Sequence, residues 1–119
     1  MNTSEFDNQN TLISFWEGGK FYSIELSDLL YLKSDGNYVY ITTKSSKIII
    51  KKSLKKTLLC FQNSNLVRVH KSYAINIRKI KNATTKELIL HQNGTIPLGR
   101  KYKKQIFELL QNENKLERI

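Results

Sequence analysis

Three short polar segments contain the side chains whose types and spacing are best suited to chemistry. The first places Asn37 and Tyr38 after Asp35-Gly36, the second is His70-Lys71-Ser72, and the third begins at Arg100. Asn and Arg side chains can make paired hydrogen bonds to a base edge, while Tyr, Ser and Lys donate to phosphate oxygens. Because all three segments lie where predicted strands give way to turns, they indicate recognition of nucleic acid by loops.

The third segment places several cations in the first turns of a predicted C-terminal helix, namely Arg100, Lys101, Lys103 and Lys104. The helix macrodipole disfavours each of them there by roughly 0.3–1 kcal/mol. A phosphate would offset this cost, since it accepts hydrogen bonds from the cations and from the free N–H groups of a helix start. The competing explanation is a solvated face in which Lys104 pairs with Glu108, and that explanation accounts for Lys104 alone.

The other two segments also have ordinary structural explanations. Asp35-Gly36-Asn37 suits a tight hairpin turn whether or not a ligand is bound, and taken alone it favours that explanation. Basic residues around His70 could simply deter strand pairing at an exposed sheet edge, and this alternative is as good as a phosphate contact. The combination of the three segments favours nucleic acid more than any one of them does.

Catalytic and metal-binding patterns are missing from the sequence. Two histidines and one cysteine are too few for a tetrahedral zinc site without help from carboxylates, and no glycine-rich phosphate loop is present. His70 and Ser72 could share a strand face, but no acidic residue lies in that region to complete a triad. The sequence therefore predicts a protein that is not an enzyme and that has no metal or small-molecule cofactor.

The distribution of charge points to a polyanionic partner. The net charge is +10, and no Asp or Glu occurs between Asp35 and Glu87. Charge of one sign over such an interval is self-repulsive and favours a partner such as DNA. A lysine-rich surface caused by biased genome composition would explain the charge without a partner. The basic residues of the interval are Lys44, Lys47, Lys51, Lys52, Lys55, Lys56, Arg68, Lys71, Arg78, Lys79, Lys81 and Lys86.

The elements that must position these segments are mostly β-strands. Alternating or β-branched runs lie on both sides of Gly18-Gly19, Asp35-Gly36 and Asn93-Gly94, which are hairpin signals. The β pattern is also expected to run without a break through residues 73–80. Ser53 predicts the start of one short internal helix, and the spacing becomes helical again from Arg100. The pattern predicts an antiparallel β domain with an internal and a C-terminal helix.

The length of 119 residues fits one domain. We expect residues 1–10 to form a flexible tail, residues 11–111 the folded domain, and residues 112–119 a frayed end. Cys60 lies in an apolar run and is expected to be a buried thiol. With no signal peptide and no apolar run long enough for a membrane, the expected location is the cytoplasm.

At the three polar segments the sequence resembles the LytTR family of bacterial DNA-binding domains. The resemblance rests on Ser34-Asp35-Gly36-Asn37-Tyr38-Val39, on Val67-Arg68-Val69-His70-Lys71-Ser72-Tyr73-Ala74-Ile75-Asn76, and on Ile96-Pro97-Leu98-Gly99-Arg100-Lys101-Tyr102. Order and spacing match from about Leu12 to Leu110. The resemblance implies an elongated fold of about ten strands with little helix. It also implies that loops, rather than a recognition helix, enter successive major grooves of DNA.

The resemblance further implies which residues meet DNA and in what setting. Asn37, Lys71 and Arg100 are expected at base edges, and the remaining expected contacts are Tyr38, His70, Ser72, Lys101 and Lys103. Lys71 fills a position that varies within the family, so its base preference does not transfer. Such domains often follow a receiver domain and bind direct repeats in pairs. The expected function is therefore that of a transcriptional regulator, or the output domain of a two-component response regulator, and the resemblance implies a second copy on direct-repeat sites.

Two other functions remain open at the level of sequence. One is an RNA-binding β module that uses exposed Tyr and Phe side chains as stacking platforms. The other is an interaction module for acidic proteins or anionic membrane surfaces.

Overall fold

The computed structural model describes residues 12–62, 64–92 and 94–112. Within these ranges the chain forms ten β-strands, two α-helices and three 3-10 turns. The strands are β1 (Leu12–Glu17), β2 (Lys20–Glu25), β3 (Leu29–Asp35), β4 (Tyr38–Thr43), β5 (Lys47–Ile50), β6 (Leu66–His70), β7 (Tyr73–Asn76), β8 (Ile80–Ala83), β9 (Glu87–Leu90) and β10 (Thr95–Pro97). The helices are α1 (Leu54–Cys60) and α2 (Lys103–Asn112), and the 3-10 turns are Leu26–Asp28, Ile77–Lys79 and Arg100–Tyr102.

The strands form three antiparallel sheets. The central sheet has five strands in the order β5-β4-β3-β7-β6, flanked by the β1–β2 hairpin and by a three-stranded sheet in the order β10-β9-β8. The principal-axis extents are 50 × 41 × 23 Å, so the molecule is more than twice as long as it is thick. This confirms the predicted elongated, mostly β domain with one internal and one C-terminal helix.

Two tight hairpins follow the predicted turn signals. Gly18 and Gly19 both have positive φ, 61° and 76°, and they join β1 to β2 with no other residue between the strands. Gly36, with φ of 62°, and Asn37 form the equally short connection between β3 and β4, in which Asp35 pairs with Tyr38. Positive φ is cheap only for glycine, so these positions fix the register of both hairpins.

The central sheet separates two hydrophobic cores. Successive strand residues point to opposite faces, so Leu32 and Ala74 join one core while Ile75 joins the other. The first core is closed by the β1–β2 hairpin and α1, and the second by the three-stranded sheet and α2. Because β3 and β7 contact both cores, the middle of the sheet is held from both sides.

Two helix starts show how local chemistry sets the elements. The Ser53 hydroxyl accepts a hydrogen bond from the N–H of Lys56 at 3.1 Å, which confirms the predicted N-cap of α1. The C-terminal helical region begins with the 3-10 turn Arg100–Tyr102, and α2 follows from Lys103. No helix within the described ranges is long and apolar enough to cross a bilayer.

The predicted unbroken β run over residues 73–80 is wrong. The 3-10 turn Ile77–Lys79 separates β7 from β8, so the chain leaves the central sheet there and enters the three-stranded sheet. The buried side chain of Asn76 causes the break, because its Oδ1 accepts from the N–H of Arg78 while its Nδ2 donates to the carbonyls of Leu26 and Leu29. A side chain that caps a turn competes with strand continuation.

Three further expectations need qualification. Cys60 is only partly buried, since the core-facing positions of α1 are Leu54 and Thr57, and its Sγ lies 3.9 Å from Lys52 Nζ. Asn93 lies outside the described residues, although β9 and β10 pair as the hairpin signal there predicted. The expected tails also lie outside them, except that Asn112 still belongs to α2.

Candidate nucleic-acid interface

One end of the central sheet brings the three polar segments together. Strand β3 runs antiparallel to both β4 and β7, so its last residues lie beside the first residues of those strands. The N–H of Ser34 donates to the carbonyl of Ser72 at 2.8 Å, which joins the first segment to the second. We call this end, comprising residues 36–38, 70–72 and 99–103, the loop edge.

The third segment is docked on β6 through Gly99. The N–H of Gly99 donates to the carbonyl of Val69 at 2.7 Å. A Cβ atom at Gly99 would lie 3.1 Å from the ring of Tyr102 and 3.4 Å from the Cα of His70. The missing side chain therefore permits the close approach that sets Arg100 beside the β6–β7 turn.

The first segment presents its side chains to solvent at the loop edge. Asn37 is exposed, and Tyr38 is 45% exposed although it is a large aromatic residue. Neither side chain makes a hydrogen bond to another described residue. The amide and the phenol hydroxyl thus remain available to a ligand, as the sequence predicted for this segment.

The second segment is a turn held by side chains on its inner side. The N–H of Ser72 donates to Nδ1 of His70 at 3.0 Å, and the His70 ring packs edge-on against Tyr73 at 5.6 Å. In the neutral ring the proton must then lie on Nε2, which makes that nitrogen a hydrogen-bond donor. His70 consequently shapes the turn in addition to lining the edge, while Lys71 is exposed at its tip.

Arg68 supports the same turn from within. Its Nε donates to the carbonyl of His70 at 3.1 Å, and its Nη2 donates to the carbonyl of Lys71. The sequence had suggested Arg68 as one of many cations facing a polyanion. In the structure its guanidinium is occupied by the turn, and this contact fixes the backbone that carries Lys71.

The third segment forms one wall of a basic cleft of about 580 Å³. Arg100 and Lys101 are exposed, and Lys103 is half-buried. The N–H of Leu98 donates to the carbonyl of Lys86 at 2.9 Å and so brings the β8–β9 turn alongside. Lys86 therefore belongs to the interface although sequence reasoning did not select it; its place in the acid-free interval was the available signal. The cleft is lined by Thr85, Lys86, Leu98, Arg100, Lys101 and Lys103.

A second group of cations lies at the other side of the loop edge. Strand β5 ends where Ile50 pairs with Val39, next to Tyr38, and the exposed side chains of Lys51, Lys55 and Lys56 follow. We call these three lysines the β5 flank. The sequence places these lysines only in the acid-free interval, because nothing in it shows that β5 ends beside the first segment.

Lys52 differs from its neighbours in the β5 flank. Its Nζ lies 2.9 Å from Oε1 of Glu17, the only ion pair among the described residues. The hydrogen bond with Glu17 raises the pKa of Lys52 above its usual value. This contact fastens the tip of the β1–β2 hairpin to the segment that follows β5, and it occupies the ammonium group of Lys52.

The order of the strands arranges the edge as a row. Four strand spacings separate β5 from β6, which at about 4.8 Å each gives about 19 Å. The side chains that could read bases occupy the middle and one end of this row, and cations lie on both flanks. A major groove is about 12 Å wide, so the row is long enough to meet both of its phosphate backbones. Eight cations of the loop edge, the cleft and the β5 flank have no ion pair among the described residues, namely Lys51, Lys55, Lys56, Lys71, Lys86, Arg100, Lys101 and Lys103.

Two known proteins are similar to this chain, one in sequence and one in fold. "Sensory transduction protein LytT" of Bacillus subtilis (strain 168) is 24% identical over 98 residues, which cover 78% of this chain but only 41% of that protein. The chain thus spans about two fifths of the length of this relative. Among solved structures, the LytTr DNA-binding domain of a protein described as a methyl-accepting/DNA response regulator from Bacillus cereus has the same fold. Its TM-score is 0.66 at 16% identity, with 84% of this chain and 96% of that chain covered.

A family model described as "LytTr DNA-binding domain" matches residues 19–111. That range contains all three polar segments, the β5 flank, α1 and all of α2 except its last residue. The description is that of a DNA-binding family rather than an enzyme family. The chain belongs to the LytTR family of DNA-binding domains.

Proposed function

We propose that this domain binds duplex DNA in a sequence-specific manner and serves a cytoplasmic transcriptional regulator. The observation that carries the proposal is the convergence at the loop edge. Exposed Asn37, Lys71 and Arg100 lie on three connections of one sheet end, and the cations on both sides have no ion pair within residues 12–62, 64–92 and 94–112.

The proposed mode of recognition uses loops that enter the major groove. Asn37 presents an amide that can pair with adenine, and Arg100 presents a fork that can pair with guanine. Lys71 reaches a third base edge. Tyr38 and Ser72 donate to phosphates, as do His70 through Nε2, Lys101 and Lys103.

The cations of the β5 flank and Lys86 extend this proposal beyond the residues that the sequence suggested. Their exposure and their lack of an ion pair among the described residues leave them free to neutralise phosphates. Phosphate contacts set position and overall affinity, whereas base contacts set specificity. We therefore propose that the cations of the flanks position the domain on the DNA backbone and that the middle of the loop edge reads the bases.

The setting of the domain is also a proposal. The B. subtilis relative is named a sensory transduction protein and is longer than this chain, which supports a role as the output part of a signalling protein. Two copies on direct repeats would double the number of bases read. Their half-sites would be spaced by about one helical turn, 10–10.5 base pairs, or a multiple of it.

Selection of bound sequences from a random duplex pool tests the proposed function. The expected result is an enriched motif a few base pairs long, repeated at a fixed spacing if two copies bind. Failure to enrich any motif, with binding equal to that of a scrambled duplex, would refute it in favour of an interaction module for acidic surfaces. Competition between duplex DNA and single-stranded RNA tests the RNA-binding alternative, which predicts that the domain binds the RNA more tightly than the duplex.

A further inference from the structure

Within the described residues, neither core covers one face of the central sheet over β4, β5 and the end of β3. The second core covers this face over β6 and β7, where Val69 and Ile75 are buried, and at Tyr31 of β3, which packs against it. On β5 the side chain of Ile49 on this face is 52% exposed. The opposite face of the same strands is buried in the first core. The uncovered face extends along the strands, whereas the loop edge lies at their ends.

The register of the strands creates a gap in this face above Thr42. Thr42 is paired with Tyr31 on one side and with Lys47 on the other, and Tyr40 precedes it on the same face. A short threonine surrounded by long side chains leaves a groove of about 260 Å³. Its lining residues are Tyr31, Lys33, Asp35, Tyr40, Thr42 and Lys47.

The floor of the groove contains an unsatisfied polar atom. Thr42 is only 9% exposed, and its Oγ1 is buried with no hydrogen-bond partner in the described part of the chain. A buried hydroxyl without a partner costs free energy, so native structures rarely keep one without a reason. A ligand group that reaches the floor would supply both a donor and an acceptor for it.

The walls combine aromatic rings with ammonium groups. Lys47 Nζ lies 6.0 Å from the centroid of the Tyr40 ring, and Lys33 Nζ lies 5.8 Å from that of Tyr73, which is itself 6.2 Å from Tyr31. Flat rings offer stacking surface to a base, and the two lysines offer charge to a phosphate. Asp35 at the rim can accept from an amino group of a base.

From this arrangement we propose that the groove above Thr42 binds one nucleotide unit, with the base against Tyr40 and Tyr31 and the phosphate between Lys33 and Lys47. The unit is either a free mononucleotide or one residue of a single strand. This site is separate from duplex reading, because none of its lining residues belongs to the loop edge.

The size of the groove and the exposure of its walls set the expected affinity. At about 260 Å³ it lies just below the usual range for small-molecule sites, and both lysines are exposed. One stacked base and one exposed ion contact correspond to a dissociation constant on the order of 0.1–1 mM for AMP. Adenosine and ribose 5-phosphate, which each lack one half of the unit, should bind at least several-fold more weakly.

Amide NMR titration of the full chain with AMP tests the proposal. Shifts are expected at residues 31–35, 40–42 and 47, and not at residues 71 and 100. Tyr40→Ala should weaken AMP binding about tenfold or more, and Thr42→Val should weaken it while preserving shape. Tyr38→Ala is the matched control, because it removes an exposed tyrosine of the loop edge and should leave AMP binding unchanged.

A second titration distinguishes a free mononucleotide from one residue of a single strand as the ligand. A five-residue single strand that binds at least tenfold tighter than AMP, with the same amides shifted, identifies a strand as the ligand. Equal affinity identifies the free nucleotide. The absence of shifts at 10 mM AMP and 1 mM oligonucleotide would overturn the proposal. So would shifts that map to the loop edge and vanish in Arg100→Ala, and either result leaves duplex reading untouched.

Discussion

Removal of two lysines from the β5 flank should reduce the salt dependence of DNA binding by a calculable amount. If Lys71 and Arg100 read bases, six of the eight cations without an ion pair among the described residues remain for phosphates. Each neutralised phosphate contributes about −0.9 to the slope of log K against log salt, so the unaltered chain should show a slope near −5.4. The double variant Lys51→Gln, Lys55→Gln should show about −3.6.

The same relation gives the loss of affinity. If both proteins bind equally at 1 M salt, a slope difference of about 1.8 amounts to roughly a 30-fold weaker complex at 0.15 M. The loss should be the same on the selected motif and on a scrambled duplex, because phosphate contacts carry no sequence information. Fluorescence anisotropy over 0.05–0.4 M salt, with both duplexes, measures slope and specificity together.

A variant with equal charge change serves as the control. Lys44 and Lys81 are both exposed and belong neither to the loop edge, nor to the cleft, nor to the β5 flank; the N–H of Lys44 donates to the carbonyl of Asp28 at the opposite end of the central sheet, and Lys81 lies in β8. Lys44→Gln, Lys81→Gln should keep a slope near −5.4. If the two double variants lose slope equally, the attraction depends on net charge alone and the assignment of the β5 flank to phosphates is wrong.

Three other substitutions probe single contacts. Arg100→Ala should cost about 1–3 kcal/mol on the selected motif and relax preference at one base pair; equal loss on every duplex would make it a phosphate contact. Gly99→Ala should lower the free energy of unfolding by about 1 kcal/mol, because its Cβ would lie 3.1 Å from the ring of Tyr102, which must shift, and an unchanged urea midpoint would contradict this. Thr42→Val should raise the free energy of unfolding by about 1 kcal/mol in urea denaturation, since it removes an unsatisfied hydroxyl; destabilisation would mean that the hydroxyl has a partner.

Local sequence signals predicted the elements that depend on local chemistry. Glycines in positive-φ turns defined the hairpins at Gly18-Gly19 and Gly36, and Ser53 defined the start of α1. The break after Asn76 could not be predicted, because its cap depends on the carbonyls of Leu26 and Leu29, about fifty residues away. Elements that rest on contacts between distant parts of the chain are invisible to a local pattern.

In the candidate site, too, the sequence predicts the residues with a local signal and misses those that distant contacts bring together. Asn37, Lys71 and Arg100 were selected by residue type and by the family resemblance, and the structure places all three at one sheet end. Lys86 and the β5 flank were missed because only strand register brings them to that end. Arg68 was interpreted as free charge because its bonds to the turn carbonyls depend on a bulge between Arg68 and His70. DNA contact at each position remains a prediction.

Backbone contacts and inner side chains hold the three connections, and this has a consequence for how binding preference can change over generations. The β3–β4 turn is fixed by its glycine, the β6–β7 turn by Arg68 and His70, and the third segment by Gly99. The exposed side chains of Asn37, Lys71 and Arg100 take no part in these contacts, so their contributions to binding should be additive. If these residues read bases as proposed, a substitution at Lys71 should alter the preference at one base pair while Asn37 and Arg100 keep theirs. The preferred DNA sequence could then change one position at a time, without an intermediate that has lost its fold.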